Sequence, residues 1–102
     1  MKIDIVLDIP DKNVWGSAIP SADVERWGEV YREGRYWMAR ERNKRGVVLT
    51  MAAVQQALGH LASMRPDILA AMASPSGMGI TPEMGDMIVQ LIMFDEIRHA
   101  RP

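Results

Sequence analysis

Residues 87–94, MIVQLIMF, are apolar almost all the way round a helical wheel. Such a helix is stable in water only if the rest of the chain wraps it. Its start is marked in the sequence. Thr81 is a hydroxyl N-cap, Pro82 suits the first helical position because its missing N–H would be unpaired there anyway, and Glu83 sets an acid at the positive end of the dipole. The pattern predicts a buried helix over 81–99, and the remaining segments are read as its cover. A chain of 102 residues suggests one domain, 1–102. Its composition, 48% hydrophobic and 25% charged, is that of a globular domain and argues against disorder.

Two more helices follow from spacing. Thr50 is a second hydroxyl N-cap, followed by Val54, Leu58, Leu61 and Met64 at helical intervals. The stripe continues as Ile68 and Met72 across Pro66. Proline lacks the N–H that an interior turn needs, so Arg65-Pro66-Asp67 reads as a break and restart inside a helix over 50–73. The third helix is read over 21–43. Ser21 is its candidate N-cap, Asp23 and Glu25 lie near the positive end, and Val24, Trp27, Tyr31 and Met38 form one stripe, widened by Val30 and Trp37. Gly28 and Gly34 are tolerated there at about 1 kcal/mol each relative to Ala, and Gly34 allows a close crossing. Asn43 or Gly46 can end the helix in the left-handed conformation.

At the N-terminus, Ile3, Ile5, Leu7 and Ile9 alternate with Lys2, Asp4, Val6 and Asp8. This is the pattern of a half-buried strand within 1–10, stopped by Pro10. A lone strand needs a neighbour. The choices are Val47 to Leu49 within the chain, or a second copy in a homodimer ribbon. Loops follow at 11–20 and 74–82, with Val14, Trp15 and Ile19 tucked onto the core. The expected fold is therefore mostly α: three main helices, the middle one broken near Pro66, and an N-terminal strand with or without a partner in a two-stranded ribbon.

Several chemistries are excluded or weakened. With no cysteine there is no disulfide, thiol nucleophile or Cys-ligated zinc, which suits a reducing cytoplasm. Asp4 and Asp8 interrupt the first apolar stretch, so it does not read as a signal peptide, and no apolar run is long enough to span a membrane. Glu96 and His99 form a single E-x-x-H beside Asp95, and His60 lies outside that pattern, so neither a zinc site nor a di-iron site is expected. Serine and threonine show no spacing to a histidine that suggests a nucleophile and base, and the glycines Gly77 and Gly79 are not followed by a phosphate-loop Lys. A helix-turn-helix over 51–72 fails at Gln55, where a small apolar residue should pack, and at Pro66. No cofactor is expected, and the chain does not read as an enzyme.

One stretch remains, RYWMARERNKR at 35–45. Basic residues at a helix C-terminus suit the dipole, and Glu41 can pair with Arg45 one turn on, so the stretch can be explained without a partner. Against this, the apolar stripe runs out after Met38, so the helix end should project, carrying Arg40, Arg42, Lys44 and Arg45 into solvent. Arg35, Tyr36 and Trp37 add the aromatic and arginine composition of interface hot spots. Because net charge is only −1, any electrostatic function must be local. The expectation is a small interaction module (adaptor, inhibitor or assembly factor) that occludes an acidic surface of a protein partner. Small cofactor-less chains of this kind include inhibitors encoded by viruses and mobile elements. The alternative is a nucleic-acid-binding module that uses the same patch.

Overall fold

In a computed structural model of the chain, residues 2–3 and 7–100 are described. Strand β1 (Lys2–Ile3) pairs antiparallel with β2 (Leu7–Asp8). A short helix, α1 (Asp11–Asn13), runs into a π-helical turn at Val14–Ala18. Three antiparallel strands follow in the order β3 (Gly28–Glu33), β4 (Tyr36–Glu41) and β5 (Val47–Val48). The chain then forms α2 (Met51–Met64), α3 (Pro66–Ala73) and α4 (Pro82–Phe94).

The mostly α expectation is overturned, because the segment read as a helix over 21–43 is a β-hairpin and the domain is α+β. Its turn is two residues, Gly34 and Arg35, closed by the pair Glu33↔Tyr36. Gly34 has φ +62, whereas Arg35 is not among the positive-φ residues. That is the Gly-first pattern of a type II′ turn, whose twist matches the flanking strands. Ser21 starts no helix; its hydroxyl donates to the Ser17 carbonyl at 2.6 Å and finishes the π turn. Gly28 is required by packing, since a Cβ there would strike the Arg40 carbonyl on the adjacent strand. Asn43 does take the left-handed conformation, φ 65, but in the turn that leaves β4 rather than at a helix end.

The N-terminal region differs as well. In place of a single strand over 2–9, Lys2 pairs with Asp8 and Ile3 with Leu7 in the short antiparallel β1–β2 pair, and residues 4–6 of that expected strand lie outside the described residues. Val47 and Val48, its expected internal partner, pair with β4 instead.

The three C-terminal helices obey their local signals. The Thr50 and Thr81 hydroxyls accept from the N–H groups of Ala53 and Met84, at 3.1 and 3.2 Å. Pro66 stands at the first position of α3, with Arg65 and Asp67 paired at 2.9 Å beside it. One end does not match: α4 stops at Phe94, where Asp95 turns left-handed at φ 58, so 95–99 is not helical. The core is formed by Val54, Leu58 and Leu61 of α2, Ile68, Leu69 and Met72 of α3, Ile88, Val89 and Leu91 of α4, and Val14, Ile19, Val24, Trp27 and Ala39 from the first half. α4 approaches the end of the π turn so closely that a Cβ on Gly85 would overlap the Ala18 carbonyl. Asn13, which is buried, donates to the carbonyls of both Met72 and Ser74 at 2.7 Å, satisfying the C-terminal end of α3.

Candidate functional site

Pairing in the hairpin sorts its side chains between two faces. Val30, Arg32, Trp37, Ala39 and Glu41 share the core-facing side, while Glu29, Tyr31, Glu33, Tyr36, Met38 and Arg40 share the outer one. The core beneath the hairpin covers Ala39 and packs Val30 and Trp37, but it ends before the turn. The tip therefore overhangs. Below it lies a cleft of about 300 Å³ lined by Trp15, Arg32, Arg35, Tyr36, Trp37 and Leu49.

Each residue reaches the cleft for a local reason. Trp15 comes from the π turn, whose extra residue per turn re-aims side chains relative to an α-helix. Arg32 and Trp37 face each other as a cross-strand pair, with the guanidinium 5.1 Å from the indole centroid. Arg35 sits in the turn and lies over Tyr36 at 5.7 Å. Tyr36 is 52% exposed, a large ring left largely in water. The Arg32 guanidinium also donates to the Gly34 carbonyl at 3.3 Å. Neither Arg32 nor Arg35 forms an ion pair with a carboxylate among the described residues. Two basic and three aromatic residues thus line a concave surface that can hold a carboxylate by charge and an apolar group by contact.

The seven residues singled out in the sequence separate here. Arg35, Tyr36 and Trp37 converge on the cleft. Arg40 lies on the outer face, paired with Glu29 and over Tyr31 at 5.6 Å. Arg42 is not a free projecting cation; it donates to the Glu25 carbonyl at 2.6 Å and ties the base of the hairpin to the preceding loop. Lys44 and Arg45 are exposed in the β4–β5 connection. The expected Glu41–Arg45 pair is absent among the described residues, because Glu41 instead meets His99 at 2.9 Å and Arg98 at 3.5 Å. Trp15 and Arg32 belong to the site although sequence reasoning did not place them there. In a helix over 21–43, Arg32 would lie off the Val24, Trp27, Tyr31 and Met38 stripe, on the solvent side. A period of two about a turn centred between Gly34 and Arg35 would have put it opposite Trp37.

A second polar cluster holds the hairpin in place. Asp86 of α4, 1% exposed, accepts from the Arg26 guanidinium at 2.6 Å, the Trp27 indole N–H at 2.8 Å and the Gln90 amide at 3.0 Å. Gln90 in turn binds the backbone of His99 in both directions, at 2.7 and 3.1 Å. The His99 ring stacks on Trp27 with centroids 5.1 Å apart. Among the described residues no buried side-chain nitrogen or oxygen lacks a partner. This cluster is therefore satisfied internally and acts as an anchor for the chain entering β3.

No group of three or more His, Asp or Glu side chains able to hold a metal occurs among the described residues. Because 95–99 is not helical, Glu96 and His99 do not share a helix face; His99 pairs with Glu41, and Glu96 lies 3.8 Å from Arg98. His60 lies 3.8 Å from Asp95. Among the described residues no helix is long and apolar enough to cross a membrane. No family model matches the chain, and neither the curated proteins nor the solved structures contain a match to it.

Proposed function

We propose that this protein is a small interaction module that binds an acidic segment of a protein partner at the hairpin tip and works by occluding it. The observation that carries the reading is the overhanging cleft lined by Trp15, Tyr36 and Trp37 together with Arg32 and Arg35, neither arginine in a carboxylate pair among the described residues. Interface hot spots concentrate tryptophan, tyrosine and arginine side chains. A carboxylate arriving at either arginine gains a charge-assisted hydrogen bond, since neither guanidinium is held by a carboxylate among the described residues. The reading fits an adaptor, an inhibitor or an assembly factor, and a reducing cytoplasm suits a cysteine-free chain.

A nucleic-acid partner is less well supported. Phosphate tracking needs a continuous run of unpaired cations. Here Arg40 is paired with Glu29, Arg42 is bound to a carbonyl, and Glu29 and Glu33 share the outer face with Tyr36.

The test is affinity capture from lysate, with and without nuclease, comparing the natural chain with Arg32→Glu/Arg35→Glu and Lys44→Glu/Arg45→Glu variants. The reading expects proteins that persist after nuclease, vanish with the first pair and remain with the second. Loss on nuclease treatment transfers the site to nucleic acid. Equal capture by all three chains removes the cleft from consideration.

A further inference from the structure

The pairing register determines which way each peptide group of β3 points. The Arg42 N–H donates to the Trp27 carbonyl at 3.0 Å, and Trp27 and Arg42 continue the ladder that pairs Gly28 with Glu41. In an antiparallel ladder, hydrogen-bonded and non-hydrogen-bonded pairs alternate. Glu29, Tyr31 and Glu33 therefore direct their N–H and C=O groups toward β4, and Gly28, Val30 and Arg32 direct theirs away. The other side of β4 has the matching phase, since the Leu49 N–H donates to the Trp37 carbonyl at 2.8 Å. The Gly28 N–H is satisfied by the Val24 carbonyl at 2.8 Å. The outward groups of Val30 and Arg32 meet no other backbone group among the described residues.

This open edge does not face bare solvent. Beside Gly28, Glu29 and Val30 runs a groove of about 510 Å³, lined also by Pro20, Ala22, Val24, Glu25 and Arg42. One end of the strand thus borders a groove, and the other carries Arg32 into the aromatic cleft.

We propose that the outer edge of β3 accepts an extended segment of a protein partner as a fourth strand, with a partner carboxylate set opposite Arg32. The inference rests on the interaction reading above and specifies the conformation of what binds. Sheet edges that must not pair are blunted by proline, bulges or inward-facing charges. Among these, β3 has the inward-facing charge, Arg32, which sits where an added strand would place a side chain directly opposite. That charge rejects an apolar or basic strand and accepts an acidic one, so it acts as a selector. A second copy of the chain does not fit. Each two-fold antiparallel pairing of β3 with itself that keeps Arg32 in the ladder sets Gly28, Val30 or Arg32 opposite it, and none of these is an acid.

The test uses the purified full chain and a phage-displayed library of short random peptides. Selected peptides are synthesised, and their affinities are measured against the natural chain, Arg32→Glu and Val30→Pro. On the backbone the proline removes an N–H that points away from β4, so the hairpin keeps its ladder. The expected result is enrichment of acidic, β-prone peptides whose affinity falls about ten-fold or more with each variant. Acidic peptides lost with Arg32→Glu but unaffected by Val30→Pro would overturn strand addition and leave the cleft reading standing. Failure to enrich acidic peptides would overturn both. If circular dichroism shows that Val30→Pro does not fold, a backbone N-methyl scan of the selected peptide against the natural chain decides the matter. Losses at alternate positions support a paired strand, and a flat profile overturns it.

Discussion

Replacing Asp86 with alanine strikes the most heavily used polar group in the core. The carboxylate accepts from Arg26, Trp27 and Gln90 while only 1% exposed. Removing one partner of a buried ion pair costs about 3–5 kcal/mol, because the other charge is left uncompensated. The Arg26 side chain is 31% exposed, so water recovers part of that loss and the lower end, about 3 kcal/mol, applies. The indole N–H and the Gln90 amide lose an acceptor at the same time, which keeps the figure from falling further. For a domain of this size, 1 kcal/mol moves the melting temperature by about 4–8 °C, so Asp86→Ala should melt roughly 12–24 °C lower. Urea denaturation of Asp86→Ala, Arg26→Ala and the double variant measures the coupling directly. The pair should be non-additive by about 1–2 kcal/mol. A single variant within about 0.5 kcal/mol of the natural chain, or an additive cycle, would refute the view that this carboxylate anchors the hairpin to α4.

Gly85→Ala separates helix propensity from packing. Propensity alone favours alanine by about 1 kcal/mol, but the Cβ would overlap the Ala18 carbonyl, so a net loss of about 1–3 kcal/mol is expected in chemical denaturation. Asn13→Ala leaves the carbonyls of Met72 and Ser74 without their donor and should cost about 2–3 kcal/mol; hydrogen exchange should be fastest at the C-terminal end of α3. The Arg65 guanidinium holds the Asp67 carboxyl below its ordinary value of 3.8. A carboxyl depressed in the folded state stabilises above its unfolded pKa, and that contribution is lost as pH falls through the folded value. The natural chain should therefore lose more stability below about pH 4 than Asp67→Asn does, and thermal melts of the two across that range compare the losses.

Local rules were reliable where local chemistry decides. Thr50, Pro66 and Thr81-Pro82 mark helix starts because a hydroxyl acceptor or a missing N–H is useful only at a first turn, whatever surrounds it. Residues 21–43 were different. Val24, Trp27, Tyr31 and Met38 satisfy a helical stripe, while Val30, Arg32, Trp37 and Ala39 satisfy an alternating one, and charged residues flank both. Gly34 could have decided between them. Read as a tolerated helix glycine it costs about 1 kcal/mol; read as the first residue of a two-residue turn it costs nothing and explains the Val, Tyr and Trp on either side.

The candidate site divides along the same line. Arg35, Tyr36 and Trp37 were visible from composition, because exposed aromatic and basic side chains stand out in any backbone conformation. Their neighbours Trp15 and Arg32, and the withdrawal of Arg42 onto the Glu25 carbonyl, depend on contacts between segments far apart in the chain. The same holds for Asp86, which in the sequence is only a lone acid just before the apolar run 87–94. It becomes a buried hub once Arg26 and Trp27 are brought against it, about sixty positions away in sequence. Helix ends, breaks and the apolar core of α4 are short-range matters, settled within one turn of backbone. Strand pairing, the overhang of the hairpin and the open edge of β3 are long-range, because a strand's hydrogen bonds are made with a partner that its own residues do not name.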